Sequence, residues 1–76
     1  MTVYPNPLRG RFNIDLGRTY SSTTLTIMDL HGRVVSVADY QNTRIIRSGI
    51  DGPSGVYFAE VIPTDGKRTI LKLVTY

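Results

Sequence analysis

His31 and six carboxylates are the side chains of this 76-residue sequence best suited to proton transfer or metal ligation, since cysteine is absent. A hydrolytic or metal site would need His31 to converge with at least two such groups. Asp29 stands two residues before it, a spacing that a ligand pair could use. Asp29-Leu30-His31-Gly32 is more simply a tight turn whose aspartate hydrogen-bonds its own backbone. Asp15, Asp39, Asp51, Glu60 and Asp65 are scattered, mostly beside turns, with no paired-carboxylate spacing. Ser21, Ser22 and Ser36 lack a nearby base, and Gly52-Pro53-Ser54-Gly55 is not a nucleophile elbow. No glycine-rich loop leads into a helix, so phosphate cradling has no support. The residues therefore predict no enzyme, no cofactor and no metal.

Binding chemistry is the other possibility. Nine basic residues against six acidic ones give a net charge of +3, but the cations are dispersed, without a run or an aromatic-interleaved patch. They read as solvated strand faces, and nucleic acid is not expected as a partner. Tyr4, Tyr20, Tyr40 and Tyr76 fall at strand ends, where an amphipathic ring packs with its hydroxyl in water. Tyr57 lies in the most strand-like stretch and reads as core.

The elements that must position these groups follow a period of two. Phe12 to Leu16, Thr23 to Met28 and Arg33 to Tyr40 alternate apolar and polar residues, as half-buried strands do. Arg44 to Ile50, Val56 to Ile62 and Lys67 to Val74 continue the series. Gly17 to Ser22 and Gln41-Asn42 read as connections, and Asp51 to Gly55 as a loop. Pro63-Thr64-Asp65-Gly66 reads as a second hairpin turn. Before them, the proline-marked Tyr4 to Pro7 reads as a stiff, extended lead-in, unable to join a central sheet. No window carries helical periodicity. The fold expected is all-β, an immunoglobulin-like antiparallel β-sandwich of about seven strands, with a five-stranded oligonucleotide-binding barrel as the alternative.

Residues 1–76 are read as a single domain, near the lower limit for folding without staples. No apolar run is long enough to span a bilayer, so membrane insertion is not expected, and no secretory leader pattern occurs. Because the strand signal starts at once, the chain is expected to be a piece of a longer protein, with Met1 added to it.

Four pieces stand in order along the chain. They are Tyr4-Pro5-Asn6-Pro7 running through Gly10 to Phe12 and Ile14; Ile27-x-Asp29-x-x-Gly32-Arg33-Val34-Val35; Gly55-Val56-Tyr57-Phe58; and Lys72-Leu73-Val74. Each alone is weak, but their order and spacing together resemble the type A C-terminal sorting domain of the type IX, or Por, secretion system of the Bacteroidetes. The resemblance covers essentially the whole chain. It implies a secretion address placed last in a large cargo protein. The cargo would cross the inner membrane by an N-terminal signal and leave the periplasm through the outer-membrane translocon. A sortase-like protease would remove the domain, and the cargo would be joined to an anionic lipopolysaccharide at the cell surface or released.

The motif residues Pro5, Asn6, Pro7, Gly10, Asp29, Gly32, Gly55, Tyr57, Lys72, Leu73 and Val74 are then the candidate recognition set. Within it the glycines read as conformational, each at a turn or strand start, and the closing strand reads as an edge open to a partner. Translocon and sortase components are the partners implied, with a cargo domain N-terminal to the address. Many members end on a basic residue after the Lys-Leu-Val element, whereas Thr75-Tyr76 follow here. The rival reading is an accessory β-sandwich that binds carbohydrate or acts as a spacer beside a catalytic domain.

Overall fold

The computed structural model describes Met1–Tyr76. Five strands run in chain order: β1 (Thr2–Arg9), β2 (Arg11–Asp29), β3 (Val34–Gly49), β4 (Gly55–Pro63) and β5 (Thr69–Thr75). They form one sheet in the order β1-β5-β4-β2-β3, which curls until β1 also meets β2. Every pairing is antiparallel except that of Leu8 with Thr75, where β1 and β5 run parallel.

The all-β expectation stands, but the count is five strands and not about seven. The sheet is a curled half-barrel and not a clear immunoglobulin-like sandwich. Two segments read as connections between strands are bends inside long strands. Gly17 has φ of 89° and donates its N–H to Asp15 Oδ1 at 2.8 Å. The β2–β3 register shifts between Asp15 and Tyr20, as at a β-bulge. Just past it on β3, Asn42, also at positive φ, lies between residues paired with Tyr20 and Ser22. The two strands part over residues 16–19 of β2 and pair again from Tyr20 and Thr43 onward. The bend lets β2 pair with β1 through Thr2–Tyr4 and with β4 further along, through Thr23–Asp29.

Pairing also corrects the reading of the proline lead-in. β1 joins β2 at Thr2–Tyr4 and β5 at Leu8, and the prolines occupy the stretch between these two contacts. That placement fits residues that cannot donate to a ladder. The peptide bonds preceding Pro5 and Pro7 are both cis.

Inside the curl, alternate residues of every strand interlock. Phe12, Ile14, Leu16, Leu25 and Ile27 of β2 meet Ile46 of β3, Tyr57, Ala59 and Val61 of β4, and Leu73 of β5. Leu8 and Ile50, both near Gly10, belong to the same core. The outer face of β5 carries Ile70, Lys72 and Val74, while Leu71 and Leu73 face inward, as the alternation predicts. Val34, Val35 and Val37 of β3 point to solvent.

Candidate functional site

The four motif pieces, far apart in sequence, meet at one end of the sheet. Their first contact is a seam between the ends of the chain. Leu8 is fully buried, and its carbonyl accepts a hydrogen bond from the Tyr76 N–H at 2.9 Å. The Gly10 N–H donates to the Thr75 hydroxyl at 3.1 Å, and the Asn6 side-chain amide donates to the Lys72 carbonyl at 3.4 Å. Thus the Pro-Asn-Pro segment lies against the Lys-Leu-Val strand. Gly10 takes φ of 82°, which turns the chain from β1 into β2.

Across the sheet, Asp29, Tyr57 and Leu73 are successive partners on β2, β4 and β5. Leu73 has no exposed surface, and Tyr57 is buried with its hydroxyl donating to the Pro53 carbonyl at 2.7 Å. That bond ties the Asp51–Gly55 loop to the core and satisfies the phenol where its ring is packed. Gly55 starts β4 at φ of 150° and pairs with Thr75. Nothing occupies the space where its Cβ would lie, so the backbone conformation alone calls for glycine.

Asp29 fixes the β2–β3 hairpin. Its Oδ1 accepts from the backbone N–H groups of His31 and Arg33, and its Oδ2 accepts from Arg33 Nε at 2.9 Å. Its own N–H donates to the Arg33 carbonyl, and Gly32 at φ of 83° completes the turn. These bonds, the Arg33 backbone donor foremost, hold the Asp29 carboxyl below the usual carboxylate range. Asp15 is lowered in the same way, first by the Gly17 N–H and then by Arg44. Both carboxylates act on local backbone. His31 lies on the hairpin tip with its side chain unengaged, and no group of three His, Cys, Asp or Glu is placed to hold a metal.

The hairpin tip and the Asp51–Gly55 loop together line an open depression, with Asp29, Arg33, Val35 and Tyr57 on its walls. Of the eleven candidate residues, Gly10, Asp29, Gly32, Gly55, Tyr57 and Leu73 serve turns or core. Pro5, Asn6, Pro7 and Lys72 are exposed beside the seam, and Val74 is half-buried. One expectation about this strand is corrected. β5 lies between β4 and β1, so at its C-terminal end it is not an open edge. The strand with a wholly unpaired side is β3, which pairs only with β2.

Sequence reading also missed a grouping of cations. Arg9, Arg11 and Arg47 fall on three adjacent strands, since Arg9 pairs with Arg11 while Asn13, two residues on, pairs with Arg47. Arg9 and Arg11 flank Gly10 in the sequence, but Arg47 is far along the chain, and only the β2–β3 register brings it beside them.

No individual curated protein matches the chain. The family model described as the secretion system C-terminal sorting domain matches residues 2–75, nearly all of it. All four motif pieces fall within that match and meet at one end of the fold. The chain therefore belongs to the family of type IX secretion C-terminal sorting domains, signals that direct the cargo N-terminal to them to the cell surface or beyond.

Proposed function

We propose that this domain is a folded, transferable address, read by protein contact and catalysing nothing itself. The cargo reaches the periplasm by an N-terminal signal, and components of the outer-membrane translocon then recognise the domain. A sortase-like protease cuts upstream of it, and the cargo is attached to anionic lipopolysaccharide at the surface or released. The observation that carries this reading is the seam, where the first and last motif pieces form one surface of exposed Pro5, Asn6, Pro7 and Lys72. An accessory carbohydrate-binding role draws less support. Tyr57 is core and Tyr20 and Tyr40 pack partly buried against the core cluster, which leaves Tyr4 and Tyr76 as the exposed tyrosines.

The test is a fusion of the 76-residue chain to the C-terminus of a periplasmic reporter, in a host carrying the matching secretion system. Reporter on the surface or in the medium is the expected result. Periplasmic retention of a fusion whose domain is folded, in a host that exports its own cargo, would overturn the reading.

A further inference from the structure

The nine cations are not evenly matched with acids. The fold's ion pairs are Arg18–Asp65 at 2.9 Å, Arg33–Asp29 at 2.9 Å, Arg44–Asp15 at 3.2 Å and Arg68–Glu60. Arg9, Arg11 and Arg47 have no such partner, although the register puts them side by side. Phe12, Ile14 and Ile46 point into the core, so alternation turns Arg11 and Arg47 to the outer face. There Arg47 is the diagonal cross-strand neighbour of Arg11, at roughly 7–8 Å by strand geometry. Arg11 separates two shallow depressions. Arg9 and Asp51 share one with it, and Arg47, Asn13, Ser48 and Pro5 share the other. Asp51 lies near without closing an ion pair.

Like charges at adjacent register positions oppose folding, so a local cluster of this kind asks for a counter-charge from outside. Protection of the β3 edge against self-association does not account for it. Arg9 and Arg11 are not on that edge, and its most apolar part, Val34 to Val37, carries no charge. The cluster stands instead beside the other half of β3, Arg44–Gly49. That half pairs with β2 on one side and leaves its other row of main-chain donors and acceptors free.

We propose that this face receives an extended, carboxylate-rich segment of a partner protein, added as a strand beside Arg44–Gly49. Main-chain bonds to β3 hold the segment, and its outward acidic side chains meet Arg47 on β3 and, over the bare Gly49 against which Arg11 packs, Arg11 on β2, with Arg9 a strand further in. The proposal rests on reading the domain as an address recognised by protein contact, and it names the chemistry of one reader.

The experiment titrates the isotope-labelled 76-residue chain with a short blocked peptide of alternating glutamate and valine, and with its lysine–valine counterpart. The expected result is amide shifts concentrated at Arg44–Gly49 and Arg11, with binding that weakens as salt is raised. Arg11→Ser with Arg47→Ser is expected to lower the affinity on the order of tenfold. Both residues are exposed, so an otherwise unchanged amide spectrum will show that the variant is folded. Equal binding of the lysine peptide, or shifts confined to β5 or to Val34–Val37, overturns the proposal. So does tripolyphosphate binding that the glutamate peptide cannot displace, which would make the cluster a site for free polyanions. Export is scored separately with the reporter fusion. If the unaltered fusion is exported and Arg9→Ser/Arg11→Ser/Arg47→Ser is exported equally, the proposed face is refuted while the address survives. Failure of the unaltered fusion strikes the address itself.

Discussion

Most of the motif side chains whose roles are visible act on their own fold before they can act on a partner. Gly55 holds a positive φ in open space, so Gly55→Val is expected to cost roughly 1–3 kcal/mol through backbone strain. Denaturant melts check this, and unchanged stability with lost export would make Gly55 a contact residue. Tyr57→Ala removes a buried ring and the bond to Pro53, for an expected loss of about 3–5 kcal/mol. A loss below about 0.5 kcal/mol would place the ring at the surface. Asp29 makes a pH prediction. Its folded-state pKa is depressed, so its stabilising effect is full above the unfolded value of about 3.9 and is lost as pH falls through the folded value. Asp29→Asn is therefore expected to flatten the acid limb of the stability–pH curve, measured by thermal melting between neutral and acidic pH. An unchanged acid limb would show that the hairpin clamp contributes little.

At the scale of elements, the sequence announces what alternates and conceals what bends. Phe12-x-Ile14-x-Leu16 and Leu25-x-Ile27 were legible as inward faces because period two is a local property. The Asp29–Gly32 turn was legible for the same reason, since one aspartate and one glycine define it. The Gly17 bend was not, because a glycine with neighbouring polar residues marks a reversal and a bulge equally well. Only the pairing partner decides between them, and β3 pairs with both halves of β2. The arginine cluster was hidden likewise, since it exists only across three strands. Gly17→Val is expected to strain the bulge, which has φ of 89°, by roughly 1–3 kcal/mol. It is expected to broaden amide signals on Asp15–Tyr20 and, across the ladder, on Thr43, as the two strands lose their common bend. Sharp signals and unchanged melting would show that the bend is set elsewhere, at Asn42.

For the whole molecule, the decisive feature is that the last strand completes the first. β5 supplies Leu73 to the core, the full edge of β4 and the closure onto Leu8, a contact between residues at opposite ends of the chain. Such a pairing is expected to form late, because the loop between its partners must close before the contact stabilises anything. A domain with this topology completes its core only when β5 is in place, which suits a signal placed C-terminal to its cargo. It also changes what truncation can test. Removing Leu71 to Tyr76 takes away buried Leu73 and the Thr75 seam, so that variant is expected to be unfolded, and its loss of export would say nothing of recognition. Removing Tyr76 alone deletes one exposed side chain and one hydrogen bond to Leu8, and the core is expected to survive. Circular dichroism melts separate the two cases, with a cooperative transition expected only for the shorter deletion. Export of the folded, Tyr76-lacking fusion is expected to continue, since the seam residues Asn6 and Lys72 remain together. If that fusion is folded but stays in the periplasm, the reader grips the chain terminus itself and not the seam.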